Sequence, residues 1–497
     1  MKVVLAAFLA AGTVVVPTAF GSVAGCAAPA PGGEWRSYGH DYGNSRHQPD
    51  ETRITAATAP NLAPAWVFDD DGNGLFNGTP VVADGCVFVA SEAGTVYAVN
   101  ADSGQLVWKT TLPDPIESSA SVDDGRVFFT VTRGGAPYVA ALDETSGRVD
   151  WTTRMIKQFG TDSDSSAVVW NGLVIAGVSG ASAEAGTTLC PGPAANMFGC
   201  GGGADSRLRF RGVYVILDAT SGRLLHRGFS ISQHDFKAGY AGGGIWSTAA
   251  IDPQHGYAYF GTGNPFSAHE HKNTNAIIKV DIDRQRATFG GIVASYHGTN
   301  ELYVDGSAGT FKPVCQIYVD VFTCDPPDFD FGASPQLFSV HGHTYVGDMQ
   351  KAGVYHVADA RTMKGVWHTI VGGPFGQFGG EATASYDGHA IYTGGSAPGI
   401  LTSLAPGSGG RNWLAPIADG IHFQSVSTAG GVAYTVDTRG ILDGWDTATG
   451  NQILARRIGD DINQPTYQAF SATPSVSIAR HTVYVSASGD LVAYRLP

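Results

Sequence analysis

A unit of about forty residues returns along most of this chain, and it limits the possible folds more than any other feature. Each copy contains an apolar strand, an Asp-Gly or similar turn, a second strand, a glycine, a third strand, an Asp-x-x-Ser/Thr-Gly turn and a fourth strand. In the clearest copy, residues 79–110, the β-rich runs are separated by Asp84-Gly85, Ala93-Gly94 and residues 101–104. The further copies are residues 119–153, 165–227, 247–290, 333–369, 382–415 and 424–457, and the third and fourth copies carry long insertions.

Four-stranded units of this kind predict a propeller. A lone four-stranded sheet has two faces to bury and two edges to protect, so such units are stable when they stack radially. Residues 471–496 supply only three strands, and residues 62–68 supply the missing fourth, which would close the ring by pairing the two chain ends. The sequence therefore predicts an all-β, eight-bladed propeller of antiparallel blades over residues 62–497, with an N-terminal extension over 27–61.

Tryptophans share the period of the repeat. Trp66, Trp108 and Trp151 each fall in a predicted fourth strand. A large ring at that position fills the wedge between neighbouring sheets, so we expect these three side chains in the core and not at a ligand.

The first 26 residues predict export. Lys2 is followed by an apolar stretch, residues 3–16, that is too short to span a membrane and is typical of a secretory signal peptide. Val23-Ala24-Gly25-Cys26 resembles a bacterial lipobox, which predicts lipidation of Cys26 and an anchor on the outer face of the cell membrane or in the cell envelope. The alternative is ordinary cleavage nearby, and in either case the mature protein leaves the cytoplasm.

The remaining cysteines favour disulfides, because export permits them. Cys190 with Cys200 and Cys315 with Cys324 are close in sequence and flank Gly- or Pro-containing loops. A bridge around a loop of roughly ten residues stabilises a protein by about 2–3 kcal/mol in the chain-entropy model. Cys86 lies in an apolar strand and is predicted to be a buried free thiol.

The charge of the chain argues against a nucleic-acid partner. The formal net charge is −14 and only 15% of residues are charged, without runs of Lys and Arg. No electrostatic footprint for a phosphate backbone exists, so a nucleic-acid partner is not expected.

Several motifs occur in the order found in one family. The chain resembles the pyrroloquinoline-quinone (PQQ) alcohol dehydrogenases with eight-bladed propellers, and within them the polyvinyl alcohol dehydrogenase branch. The resemblance spans almost the whole mature chain. It is carried by Trp35-Arg36-Ser37-Tyr38-Gly39-His40-Asp41, Asn44-Ser45-Arg46, Arg211-Gly212-Val213-Tyr214-Val215 with Asp218, Trp246, Ile251-Asp252-Pro253, Gly261-Thr262-Gly263-Asn264-Pro265 and Asp328-Phe329-Asp330-Phe331-Gly332-Ala333-Ser334-Pro335.

The resemblance implies a cofactor platform and a metal site. Trp246 matches the indole under the planar quinone, and a flat tricyclic ring does need an aromatic wall in a dry slot. The alternative is a further wedge tryptophan. Asn264 matches the amide ligand to calcium, with Gly261 and Gly263 letting the backbone turn. Glu184 stands near the family's glutamate ligand, and the alternative is an exposed loop acid.

Two further residues carry chemistry in the resemblance. Asp330 matches the general base that lies beside metal and quinone and takes the hydroxyl proton, and it is also expected to be a ligand of the calcium ion. Its neighbour Asp328 lies on the same strand face, and Phe331-Gly332 after Asp330 favours the latter. Lys351 matches the cation that binds the quinone oxygens and stabilises charge there, with a surface-turn lysine as the alternative.

The resemblance therefore implies a PQQ- and calcium-dependent enzyme that oxidises a small or polymeric alcohol to an aldehyde or ketone. No Cys-x-x-Cys-His motif for haem occurs, so the electrons would pass to an external acceptor. No adjacent Cys-Cys pair occurs either, whereas several family members hold such a disulfide against the quinone. The alternative function is a non-catalytic envelope scaffold, in which Trp246, Asn264, Asp330 and Lys351 would lie apart on separate blades.

Overall fold

Eight blades form the protein, as the repeat predicts. The computed structural model describes residues 24–69, 72, 74–158, 160–180, 210–267, 270–299, 314–318, 321–325, 329–372, 381–396, 398–418, 422–464 and 475–497. Each blade is an antiparallel sheet of four strands that pair in chain order, and the first strands of neighbouring blades contact one another around the central axis. In every blade the register between the third and fourth strands shifts at one bulge.

Blades 1 to 4 occupy the first half of the ring. The predicted fourth copy, 247–290, stops too early, because its last strand follows the turn at Gly290 and Gly291. The strands are Val81–Ala83, Cys86–Ala90, Thr95–Asn100 and Leu106–Thr111 in blade 1; Ser121–Asp123, Arg126–Val131, Tyr138–Asp143 and Val149–Arg154 in blade 2; Val168–Trp170, Leu173–Val178, Val213–Asp218 and Leu224–Phe229 in blade 3; and Ala250–Asp252, Tyr257–Gly261, Ala276–Asp281 and Ile292–His297 in blade 4.

Blades 5 to 8 complete the ring, and the two ends of the chain close it. Ala63–Asp69 pairs antiparallel with Asp490–Arg495, which confirms the predicted closure of blade 8. The strands are Gln336–Val340, His343–Gln350, Val354–Asp359 and Gly365–Ile370 in blade 5; Ser385–Tyr386, Ile391–Gly395, Ile400–Leu404 and Arg411–Pro416 in blade 6; Ser427–Ala429, Val432–Val436, Ile441–Asp446 and Gln452–Arg457 in blade 7; and Val476–Ala479, Thr482–Ala487, Asp490–Arg495 and Ala63–Asp69 in blade 8.

Little other regular structure occurs in the described ranges. A 3-10 helix spans Ala59–Asn61, and two short α-helices span Gln233–Lys237 and Ile458–Asp461. A hairpin of Val314–Tyr318 and Val321–Asp325 precedes blade 5. Over the part of the chain that the structure describes, no helix has the length and apolar character needed to cross a bilayer.

The fourth-strand tryptophans fill the wedges between blades, as predicted. Trp108 Nε1 of blade 1 donates a hydrogen bond to the carbonyl of Glu144 in blade 2, at 2.9 Å. Its ring packs on Gly147 in the turn of that blade, where an added Cβ would stand 2.4 Å from the ring and φ is +70°. Trp66 and Trp151 make the same two contacts with the next blade. The repeat therefore encodes the joint between blades as well as the blades.

The N-terminal extension is built into the propeller. Trp35 and Ser37 bridge to the first strands of blades 1 and 2, and His47–Gln48 adds a parallel strand to blade 7. Between them, the carbonyls of Tyr42 and Ser45 accept hydrogen bonds from the first strands of blades 4 and 6. Because the first strands surround the axis, residues 35–48 follow nearly the whole ring at one end of it.

Cys26 and Cys86 form a disulfide, with their Cα atoms 5.0 Å apart. The prediction that Cys86 is a free thiol is therefore wrong. Strand pairing could not reveal the partner, because Cys26 is brought there by a hydrogen bond between Ala27 N and Gly85 O, outside the repeat. A sulfur in a disulfide has no valence left for a lipid thioether. This bond and lipidation of Cys26 exclude each other.

The other predicted disulfides stay predictions. Cys190 and Cys200 lie outside the described residues. In the hairpin before blade 5, the backbone register places Cys315 directly opposite Cys324. Directly opposed residues of an antiparallel pair have Cα atoms about 4.5–5.5 Å apart, which is within the range that a disulfide spans.

Candidate active site

A cavity of about 440 Å³ lies on the propeller axis. Its wall consists of the short segments that lead into the first strands, so that several blades contribute side chains. Trp246, Asn264, Asp330 and Lys351 all line it. Four residues predicted from separate motifs of blades 4 and 5 therefore converge in one place.

Trp246 and Asp330 form the centre of this group. Trp246 Nε1 donates a hydrogen bond to Asp330 Oδ2, at 3.0 Å. Gly332 lies against the indole, because a Cβ there would stand 2.3 Å from the ring. Trp246 lies in the loop before strand Ala250–Asp252. The loop allows the ring to face the axis, whereas the pleat of a strand would fix it on one sheet face.

Asn264 is next to the same carboxylate. Its backbone N–H donates to Asp330 Oδ1, at 2.5 Å. Its side-chain Nδ2 is buried and has no hydrogen-bond partner among the described residues. Gly261 is required by close packing, since a Cβ there would lie 2.5 Å from the carbonyl of Phe331. The segment thus presents a buried amide to the cavity, as an amide that binds a ligand would be presented.

Lys351 stands between two carboxylates. Its Nζ is 3.7 Å from Asp330 Oδ2 and 3.6 Å from Glu381 Oε1. The ammonium also lies 4.8 Å from the centre of the Trp246 ring, within the range of a cation–π contact. Its side chain is only 8% exposed, which excludes the alternative of a surface-turn lysine.

Glu184 and Asp328 lie outside the described residues, so their predicted roles stay predictions. In the described ranges no group of three or more His, Cys, Asp or Glu side chains is placed to hold a metal ion. Asn264 and Asp330 are the predicted calcium ligands that the structure brings together.

Sequence reasoning missed three acids in the cavity wall: Glu117, Asp164 and Glu381. Burial and repulsion from Asp164 raise the pKa of Glu117 to about 8. Burial and the charge of Asp162 raise the pKa of Asp164 to about 6. These two acids come from blades 2 and 3, so the pairing depends on the closed ring.

A signal for these acids does exist in the repeat. A Ser or Thr recurs shortly before the first strand, and the residue two positions earlier lines the cavity in blade after blade. Five hydrogen bonds between these hydroxyls and the backbone N–H groups of the preceding blade link six consecutive blades, beginning with Ser119 Oγ, which accepts from Thr79 N at 2.8 Å. The cavity-lining residues at this repeat position are Asn77, Glu117, Asp164, Trp246, Gly332, Glu381 and Phe423.

The N-terminal extension supplies the end wall of the cavity. Tyr38 lines the cavity, and its hydroxyl donates to Thr383 Oγ1 at 2.8 Å. Arg46, which is fully buried beneath it, donates six hydrogen bonds to residues of blades 7, 8 and 1 and to the Tyr38 carbonyl. Arg46 therefore holds the N-terminal extension in place over this end of the cavity.

The fold and the sequence both match known quinone-dependent enzymes. Over 93% of its length the chain superposes on 81% of a quinohemoprotein alcohol dehydrogenase from Comamonas testosteroni, with a TM-score of 0.67 and 17% identity. It is 26% identical, over 77% of the chain and 59% of the relative, to a polyvinylalcohol dehydrogenase of Pseudomonas sp. The chain resembles the quinone alcohol dehydrogenases in fold and in sequence.

A second relative and a family model agree with this resemblance. The chain is 25% identical, over 84% of its length and 66% of the relative, to a polyvinylalcohol dehydrogenase of Sphingopyxis sp. (strain 113P3). Residues 47–190 match the PQQ_2 family model, which is described as outer membrane protein assembly factor BamB. The chain spans about three-fifths to two-thirds of the length of these two dehydrogenases.

Proposed function

We propose that this protein binds PQQ in the axial cavity and oxidises an alcohol to an aldehyde or ketone. The observation that carries the proposal is the meeting of Trp246, Asn264, Asp330 and Lys351 in one cavity wall. The scaffold alternative requires these residues to lie apart, and they do not. The buried side-chain Nδ2 of Asn264 has no hydrogen-bond partner among the described residues, and Lys351 stands nearby between two acids. Such an arrangement costs stability unless a ligand makes use of it, which favours a bound cofactor.

The residues around the cavity fit such a cofactor. PQQ is a flat tricyclic quinone with three carboxylates, and a cavity of about 440 Å³ is within the range of small-molecule sites. The Trp246 indole would face its ring, Lys351 would bind its quinone oxygens, and Asn264 Nδ2 would donate to it. When bound, the cofactor supplies the two-electron acceptor that no side chain of this protein can provide.

Asp330 is the residue proposed to take the hydroxyl proton of the alcohol. Its carboxylate already accepts hydrogen bonds from Trp246 Nε1 and Asn264 N, which fix its orientation. A carboxylate held in place loses little freedom when the substrate arrives, and this lowers the barrier to proton transfer. Lys351, 3.7 Å away, stabilises negative charge on either side of the transfer.

A calcium ion and the remaining partners belong to the same proposal. Asn264 and Asp330 carry the hard oxygen ligands that Ca²⁺ prefers, and Glu184 is proposed as a third ligand. The substrate is a small or polymeric alcohol, and an external acceptor takes the electrons. Export is proposed from residues 1–26, and a lipid anchor would require Cys26 to be free of its bond to Cys86.

The test is to titrate the purified protein with PQQ and Ca²⁺, following cofactor binding and the alcohol-dependent reduction of a dye. We expect tight, calcium-dependent binding and dye reduction in the wild type. Asp330→Asn should retain binding within about tenfold and lose at least about 100-fold in dye reduction, because general-base catalysis typically contributes that much. His255→Asn, a change at an exposed site, is the control. Absence of binding at micromolar PQQ would contradict the proposal and direct the search to envelope protein partners.

A further inference from the structure

A buried glutamine behind the cavity wall joins two distant points of the chain immediately before Asp330. Gln350 is the last residue of the second strand of blade 5 and is fully buried. Its Nε2 donates to the carbonyls of Phe329, at 2.7 Å, and of Thr299, at 3.1 Å. Its Oε1 accepts from Thr299 N, at 2.9 Å. One amide therefore holds together the residues that precede and follow the segment 300–328.

The backbone on both sides of the Asp330 carboxylate is also fixed. The Asp330 carbonyl accepts from Lys351 N at 2.9 Å, and Phe331 N donates to the carbonyl of Thr262 at 3.2 Å. Together with the bond to the Phe329 carbonyl, these contacts anchor three consecutive residues. Such anchoring matters for a general base, because a misplacement of about 1 Å can lower a rate about 100-fold.

His356 holds the Gln350 amide in this orientation. Its Nε2 is 2.9 Å from Gln350 Oε1, and its Nδ1 is 2.9 Å from the Tyr296 hydroxyl. Backbone groups already make Oε1 the acceptor end of the amide, so His356 Nε2 carries the proton and Nδ1 accepts from Tyr296. Burial, with His368 and His297 nearby, lowers the pKa of His356 to about 3, which keeps the ring neutral.

We propose that Gln350 and His356 are positioning residues for Asp330, and that they fix where its carboxylate stands in the cavity. This inference rests on the proposed function. Neither residue lines the cavity, so both act through the backbone that leads into Asp330 and not through the cofactor or the alcohol. Both donors and both acceptor positions of the Gln350 amide are used within this network.

The first test is Gln350→Met, which keeps much of the side-chain volume and removes all four hydrogen bonds. At saturating PQQ and Ca²⁺, kcat for alcohol-dependent dye reduction should fall about 10–100-fold, because the base is misplaced. The Kd of PQQ, measured by quenching of tryptophan fluorescence, should stay within about tenfold of the wild type, because no contact with the cofactor is removed.

Gln48→Met is the matched control. Gln48 is also buried, and its amide donates to the carbonyls of Glu34, at 2.8 Å, and Ile478, at 3.0 Å. Its Oε1 accepts from Asp50 N at 3.1 Å, and it does not line the cavity. This variant loses a buried amide of the same kind, so its stability should fall comparably while its kcat stays within about twofold of the wild type.

Two comparisons test whether the network acts through the base. Adding Gln350→Met to Asp330→Asn should lower the residual dye reduction less than about twofold, since residues that act as a unit are not additive. His356→Gln keeps a donor that can reach the Gln350 amide, whereas His356→Leu does not. We expect kcat of His356→Gln to exceed that of His356→Leu at least about threefold.

Amide hydrogen exchange of the protein without cofactor gives a readout that does not depend on activity. Asn264 N donates to Asp330 Oδ1, and Lys351 N donates to the Asp330 carbonyl. In Gln350→Met, peptides that contain these two amides should exchange at least about tenfold faster than in the wild type. Peptides of blade 1 should keep their wild-type rates, and Gln48→Met should leave both amides unchanged.

The outcomes separate the two proposals. If the wild type is active and Gln350→Met has the same kcat as Gln48→Met, the positioning role is refuted while the proposed function stands. An equal loss in the wild-type and Asp330→Asn backgrounds, or unchanged exchange of the Asn264 amide, also refutes it. If the wild type neither binds PQQ nor reduces the dye, both proposals fail. Circular dichroism checks folding, and if Gln350→Met does not fold, the two His356 variants decide the question.

Discussion

Replacing Arg46 by Met tests whether the N-terminal extension holds the end of the propeller together. The guanidinium is completely buried, and it donates six hydrogen bonds of 2.8–3.3 Å to the carbonyls of Tyr38, Val426 and Val476 and to three hydroxyl groups. Methionine fills much of the same volume but donates nothing.

The expected loss of stability depends on which acceptors of Arg46 keep another hydrogen-bond donor after the substitution. The Val476 carbonyl keeps a second donor, Ser427 Oγ, and the Tyr38 carbonyl keeps the Trp35 indole. The Val426 carbonyl and the three hydroxyls lose a partner, at about 1 kcal/mol each when some of them find new ones. We expect the free energy of unfolding to fall by about 3–4 kcal/mol, as measured by urea denaturation.

Arg148→Met is the control for this change. Arg148 is 70% exposed and pairs with Asp150 at the surface, so its loss should cost less than about 1 kcal/mol. Because Arg46 also lies 4.9 Å from the Tyr38 ring that lines the cavity, Arg46→Met should weaken PQQ binding as well. A fall in stability no larger than that of Arg148→Met would refute the account of the N-terminal extension given above.

Two further predictions concern joints outside the cavity. Trp108→Ala removes an indole that joins blades 1 and 2. Urea denaturation should show that the free energy of unfolding falls by about 3–5 kcal/mol. A loss below about 1 kcal/mol would contradict the role of Trp108 as a wedge between the blades. Cys86→Ala opens a disulfide that spans 60 residues, and the chain-entropy model gives a loss of about 4 kcal/mol. Mass spectrometry of the protein purified without reductant should show Cys26 joined to Cys86, and a lipid mass on Cys26 would contradict this.

The sequence by itself determined the architecture and half of the site. The repeat identified eight blades, the strand of residues 62–68 that closes the ring, and the tryptophan wedges, because strand alternation and turn chemistry are local properties. Trp246, Asn264, Asp330 and Lys351 could be predicted because each belongs to a motif that resembles one family. Their common cavity was a consequence of the fold, and the structure confirms it.

Only the tertiary structure decided the contacts between parts of the chain that share no motif. Glu117 and Asp164 are 47 residues apart in sequence, and they meet because closing the ring turns the same position of adjacent blades toward one axis. Cys26 reaches Cys86, and Arg46 reaches blades 7, 8 and 1, because the N-terminal extension follows the inner strands around the axis. A local pattern specifies how a strand folds, whereas which side chains become neighbours across a ring depends on the geometry that closes it.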